Sequence, residues 1–164
     1  MDLYGWLVFG HVTAVILAFA AHGVSAFAMF QVRKEHDRAR LGAILDLSSS
    51  SLGIAGILLV VVVVLGIAAA VVGSQFSRFW PWAAIVIVVI AFGSMTPLAA
   101  IPMNRVRRAL ALPIAGDRTG ETAGEGGSDE ELAAALAGIK PELPAAIGIA
   151  AIVVLTWLMR AKPF

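Results

Sequence analysis

Four stretches of the chain are almost free of charged residues and long enough to cross a bilayer as helices. They cover residues 3–30, 51–73, 82–103 and 143–160. The hydrocarbon core of a bilayer is about 30 Å thick, which calls for roughly 20 mostly apolar residues per helix. The pattern predicts an all-α integral membrane protein with four transmembrane helices in an up-and-down bundle.

The third connection, residues 104–141, is the only sizeable polar segment between these stretches. Its centre, GDRTGETAGEGG, is rich in glycine and acidic residues, a composition typical of a linker. Beyond the linker, Ser128 and Glu131 match a capping box, and apolar residues recur at helical spacing. These residues are Leu132, Leu136 and Ile139. The pattern predicts a short amphipathic helix on the cytoplasmic surface.

The residues just before the second stretch, 41–51, mix apolar side chains with Asp46 and four consecutive serines. This mixture is typical of helical turns at the membrane interface, where Asp46 would be hydrated. A buried Asp46 would instead mark a proton or cation site. In the third stretch, Pro97 and Pro102 are expected to bend or loosen the helix, since proline removes a backbone donor.

Composition supports the membrane class and removes several kinds of chemistry. Hydrophobic residues make up 60% of the chain and charged residues 14%, with a mean hydropathy of +0.91. A soluble domain of 164 residues could not bury so much apolar surface. There is no cysteine, so disulfides, thiolate metal sites and cysteine nucleophiles are excluded.

The basic residues are distributed unevenly. Nine of the twelve lie in the first and third connections. The positive-inside rule therefore places these connections in the cytoplasm and both termini outside. Aromatic residues typical of a membrane interface lie at the opposite end: Tyr4, Trp6, Trp80 and Trp82. The first stretch is expected to be retained as a helix, because Asp2 is its only early charge and its apolar run is too long for a cleavable signal.

The first stretch contains two histidines, His11 and His22. Eleven residues make about three helical turns, so both imidazoles lie on one stripe, about 16 Å apart along the axis. Spacing of this order suits two cofactors stacked across a bilayer, so either histidine is a candidate axial ligand of a b-type haem. No other spanning stretch contains histidine. The second ligand would be Met159 for His11, Met95 or Met103 for His22, or a histidine from another copy of the chain.

A structural role is the alternative for both histidines. A neutral imidazole between helices needs one hydrogen bond to a hydroxyl group or a backbone carbonyl, and such contacts help membrane helices to associate. Paired carboxylates at membrane depth, a serine with a basic partner and a metal-binding histidine pair are all missing from the sequence. The residues therefore give no catalytic assignment, and we expect a protein that is not an enzyme.

Five segments of the chain carry a family resemblance. They are LVFGHVTAVILAF, FQVRKEHDRARL, FWPWAAIVIVVI, MNRVRRAL and ELPAAIGIAAIVVLTWLMRAKPF. Together they resemble a bacterial family of predicted four-helix integral membrane proteins of unassigned function, which is distantly similar to the membrane part of copper-resistance D proteins. The resemblance implies four spanning helices in the bacterial inner (plasma) membrane and suggests copper or haem handling. The position that matches the family's early histidine is His11.

Three functions remain open at this point. The first is a non-enzymatic membrane subunit or scaffold, packed in a larger complex or with copies of itself through its small-residue faces. The second is a haem- or copper-binding redox protein that uses His11 and His22. The third is a small transporter that works as an oligomer. The lipid bilayer is an expected partner in all three cases, and nucleic acid is not.

Overall fold

The computed structural model describes residues 2–114 and 126–163, and all regular structure within these ranges is helical. The predicted linker, residues 116–127, lies outside the described residues except for its last two glycines. Four long helices and two short ones make up the fold. In chain order they are α1 (Leu3–Val32), α2 (Arg38–Val72), a 3₁₀ turn (Gln75–Ser77), α3 (Trp80–Ala109), α4 (Asp129–Ala137) and α5 (Glu142–Ala161).

Four helical segments are long and apolar enough to cross a membrane: α1, α2, α3 and Asp129–Ala161, which comprises α4 and α5. In none of them is more than 22% of the most apolar window buried inside the protein. Large apolar side chains such as Ile57 and Val89 are 69% and 64% exposed. Exposure of so much apolar surface to water would be unfavourable. The described helices therefore indicate a multi-pass membrane protein.

Consecutive long helices run antiparallel, and α1 and α2 form the closest pair. α2 begins at Arg38, so residues 41–51 form its first turns. Asp37 caps this helix by accepting a hydrogen bond from the Arg40 N–H at 2.8 Å. In the same turn, backbone N–H groups of Asp37 and His36 donate to the Glu35 carboxylate, which lowers its pKa below the usual range.

A compact apolar core lies at one end of the molecule, which we call the basic end. Here the C-terminal ends of α1 and α3 meet the N-terminal ends of α2 and α5. The core consists of Met29, Val32, Leu41, Leu45, Val106, Ala109, Leu132, Leu136 and Ile139. The segment after the predicted linker forms α4, and the capping box between Ser128 and Glu131 is present. The apolar side chains of α4 cover the core at the outer edge of the basic end.

Arg107 of α3 is the buried charge of the basic end, with a residue exposure of 4%. Its Nη2 donates to Leu45 O, Asp46 Oδ1 and Ser49 Oγ of α2 at 2.8, 2.9 and 2.7 Å. Its Nη1 donates to Pro113 O at 2.9 Å. The Asp46 side chain is 66% exposed, so this carboxylate is not buried inside the bundle. The guanidinium group therefore ties α3 to α2.

The opposite end, which we call the tryptophan end, holds aromatic side chains from four elements. Trp82 donates from Nε1 to Phe76 O at 3.3 Å, and the ammonium group of Lys162 lies 5.6 Å from the centre of the Trp80 ring. Trp6 and Trp157 are more than half exposed here. The aromatic residues singled out in the sequence thus lie at the same end of the molecule.

α3 remains helical through Pro97 and Pro102. The turn before Pro97 contains two hydroxyl groups that bond back to the helix. Ser94 Oγ donates to Ile90 O and Thr96 Oγ1 donates to Phe92 O, both at 2.7 Å. Both hydroxyl groups are therefore hydrogen-bonded within α3, which lowers the cost of placing them on an apolar helix.

We expect Arg107→Met to lower the free energy of unfolding by about 1–3 kcal/mol, because it leaves the polar acceptors of α2 without their donor. The measurement is a denaturant titration of detergent-solubilised protein followed by circular dichroism. Arg40→Met is the matched control. The Arg40 side chain is mostly exposed, and its contact with Glu35 is long, at 4.0 Å, and therefore weak. Its effect should stay within about 0.5 kcal/mol. Equal losses in the two variants would contradict the role assigned to Arg107.

Candidate functional site on the inner face of the first helix

The stripe of α1 that carries both histidines faces the interior of the protein. On this face Ala14, Ser25 and Met29 are buried, and the two histidines are half-buried. The stripe is continuous along the helix, but its members meet different neighbours. The two histidines therefore have separate environments.

His11 forms a hydrogen bond with α2: its Nδ1 lies 2.9 Å from Val62 O. Because a carbonyl can only accept, Nδ1 must carry the proton, and in the neutral ring Nε2 is then the unprotonated nitrogen. The imidazole lies directly on the backbone of Gly66. A Cβ atom built on Gly66 would be 2.9 Å from His11 Cε1. Glycine at this position is what allows the ring to reach the carbonyl.

Three further contacts bring α1 and α2 together along their length. Near the basic end, Ser25 Oγ and Ser48 Oγ are 2.8 Å apart and buried, and Ser51 Oγ donates to Ala21 O. At the tryptophan end, the Tyr4 ring lies against Gly73, where a Cβ atom would be 2.6 Å from Tyr4 Cε2. The sequence pattern predicts the serine run only as an interfacial segment. The three-residue spacing of Ser48 and Ser51 places both hydroxyl groups on one helix face, and this spacing is the signal that could have revealed the contact.

His22 has a different environment. Its ring centre is 6.4 Å from that of Phe92 in α3. Its Nδ1 is buried and has no hydrogen-bond partner in the described part of the chain. His22 thus turns towards α3 while His11 bonds to α2. The two imidazoles share a stripe, as predicted, but they do not share a partner helix.

The three methionines considered as second ligands lie in separate places. Met95 packs on α5, because a Cβ atom built on Gly148 would be 3.1 Å from Met95 Cε. Met103 packs against the core of the basic end, and Met159 lies near the end of α5 with 37% exposure. Residues 2–114 and 126–163 contain no group of three His, Cys, Asp or Glu side chains arranged to hold a metal ion.

Comparison with known proteins gives no assignment. No protein-family model, curated protein or solved structure matches this chain. The resemblance to the copper-resistance D group therefore stays a prediction from the sequence.

We expect Gly66→Ala to destabilise the protein by about 1 kcal/mol relative to Gly56→Ala, because the new methyl group displaces the His11 ring and its hydrogen bond. Both substitutions gain the same helix propensity, and a Cβ atom at Gly56 meets nothing within 4 Å. Denaturant unfolding of both variants gives this difference.

The same pair of substitutions in a His11→Ala background separates ring displacement from other effects. Once the imidazole is removed, the difference between the alanine variants should fall to near zero. A difference that persists at full size would show that the His11 ring is not what Gly66 accommodates.

Proposed function

We propose that this protein is a non-enzymatic integral membrane subunit of the bacterial inner membrane, which packs in a larger membrane complex or with copies of itself. In this proposal the basic end faces the cytoplasm and both termini face outward, as the excess of basic residues predicts. The proposal rests on how the chain uses its polar groups and on the surface that it leaves open.

Several polar side chains of α1 and α2 are occupied in packing. His11, Ser25, Ser48 and Ser51 join α1 to α2, while Ser49 serves Arg107. A catalytic site needs a nucleophile, base or electrophile that converges on open space, and these side chains converge on one another. Their arrangement therefore supports a packing role.

Two glycines of α2 carry the proposal. Gly66 of the same helix and Gly73, its C-cap residue, are each covered by a ring from α1, but Gly53 and Gly56 are exposed, and a Cβ atom built on either would meet nothing within 4 Å. Glycine in a helix interior costs about 1 kcal/mol relative to alanine. Membrane helices use small residues to let a neighbouring backbone approach closely. The pair at Gly53 and Gly56 offers such a surface to a helix from another chain.

A redox cofactor fits the described donors less well. His11 already uses Nδ1 for Val62, and its ring is pressed against Gly66. His22 keeps a free ring nitrogen, but Met95 packs on Gly148 of α5 and Met103 packs against the core of the basic end. A complete axial pair from these candidates within one chain would require repacking of α3. The haem or copper function therefore ranks second, with His22 as its remaining ligand candidate.

Association through α2 is tested by Gly53→Leu. The substitution has room within one chain, so we expect the fold to be kept and association in the membrane to weaken about tenfold or more. Single-molecule photobleaching in liposomes measures self-association, and affinity purification from native membranes in mild detergent measures binding to other subunits. Ala150→Leu, on the exposed surface of α5, is the control and should change neither.

Two results would contradict the subunit proposal. One is a wild-type protein that stays monomeric in liposomes and is also recovered alone from native membranes. The other is unchanged association in Gly53→Leu.

The redox alternative predicts pigment or metal in the purified protein. We expect protein produced with haem and copper available to show no Soret band and no stoichiometric copper, because the described donors do not form a complete site. If a Soret band is present, the proposal of a subunit without a redox cofactor is wrong, and His22→Leu should then abolish the band. An unchanged band in that variant would reject His22 as the ligand.

A further inference from the structure

The basic end contains an open cavity of about 700 Å³ between the end of α3 and the helix α4. Arg105 and Arg108 line it on the side of α3. The remaining wall is formed mainly by small or apolar residues, with one carboxylate from Glu131. This carboxylate accepts the hydrogen bond of the capping box from the Ser128 N–H.

Arg105 and Arg108 differ from the other arginines of this end. Arg33, Arg38, Arg40 and Arg107 each lie within 4.0 Å of a carboxylate, from Glu142, Asp129, Glu35 and Asp46. Among the described residues, Arg105 and Arg108 have no such partner, and both are exposed. Three residues apart on one helix, they project from the same face. Two free guanidinium groups on one wall suit an anion with several oxygens, because each offers a planar pair of donors.

The position of the cavity along α3 favours a lipid over a soluble anion. The apolar stretch of this helix ends near Met103, so Arg105 and Arg108 lie about 3 Å and about 7.5 Å beyond it at 1.5 Å per residue. The headgroup layer on each side of a bilayer is about 5–7 Å thick. The two arginines therefore span the depth at which lipid phosphates lie. The local charge, two cations and one carboxylate, matches a singly charged phosphodiester.

We propose that this cavity binds the phosphate group of an anionic phospholipid, held between Arg105 and Arg108. The apolar wall, which includes Ala134 and Ala135, accommodates the glycerol and the start of an acyl chain. Such a lipid would bridge α3 and α4 where the described chain has no ion pair between them. The site depends on membrane insertion but not on the proposed subunit function, because it lies apart from the Gly53 and Gly56 surface.

Native mass spectrometry of the full chain, released from micelles that contain phosphatidylglycerol or phosphatidylcholine with the same acyl chains, tests the proposal. We expect the first phosphatidylglycerol to bind the wild type at least about tenfold more tightly than the double variant Arg105→Gln, Arg108→Gln. The matched control, Lys34→Gln with Lys140→Gln, removes the same charge from the same end outside the cavity. It should keep affinity within about twofold.

A second variant fills the cavity without changing its charge. Ala134→Leu places bulk on the exposed wall of α4 and should also lower phosphatidylglycerol affinity, while circular dichroism stays as in the wild type. Competition with inorganic phosphate at millimolar concentration separates the two sources of the anion.

Several outcomes would overturn the proposal. Equal binding of phosphatidylcholine would show that charge is not recognised. Equal loss in the lysine control would show that only net charge matters. Displacement of the lipid by inorganic phosphate would identify a site for a soluble anion.

Discussion

The close approach of α1 and α2 is the contact on which the rest of the structure depends. In lipid the hydrophobic effect does not drive helices together, so a helix pair needs small residues, polar contacts or both. This pair has both: the His11 ring reaches Val62 O because Gly66 has no side chain, and the Ser25–Ser48 contact fixes the other half. A membrane hydrogen bond of this kind contributes about 0.6 kcal/mol on average. Several of them, spaced over the helix length, define one register.

The second pair, α3 and α5, is joined to the first mainly at the basic end. There the buried Arg107 donates hydrogen bonds to α2, and apolar side chains of α4 complete the core. Towards the middle of the helices, internal burial falls and open positions such as Gly53 and Gly93 occur. The protein thus combines a fixed end with an apolar middle that is only partly packed within the chain. This division suits a component that holds its own register while offering its spans to lipid or to another helix.

The sequence predicted the elements well and the contacts poorly, for a physical reason. The length of an apolar run is a property of a single segment, so the four long helices could be predicted directly from the sequence. The same holds for α4, because a capping box and three apolar residues at helical spacing are local signals. Pairing between helices is not local. In the sequence Arg107 is only one more positive charge, and nothing in its neighbourhood along the chain distinguishes it from Arg105 or Arg108.

The histidines show how far a shared stripe can predict a shared role. His11 and His22 are related by about three turns, so the sequence treats them as equivalent. Their environments differ because α2 presents a carbonyl beside a glycine at one level, whereas α3 presents the Phe92 ring at the other. The first arrangement satisfies an imidazole nitrogen and holds the ring in place. The second leaves Nδ1 of His22 without a partner in the described residues, at a depth where an unpaired polar group is costly. A hydroxyl group or carbonyl from a neighbouring helix would remove that cost, so the unpaired nitrogen of His22 adds a polar argument to the steric argument for the proposed association.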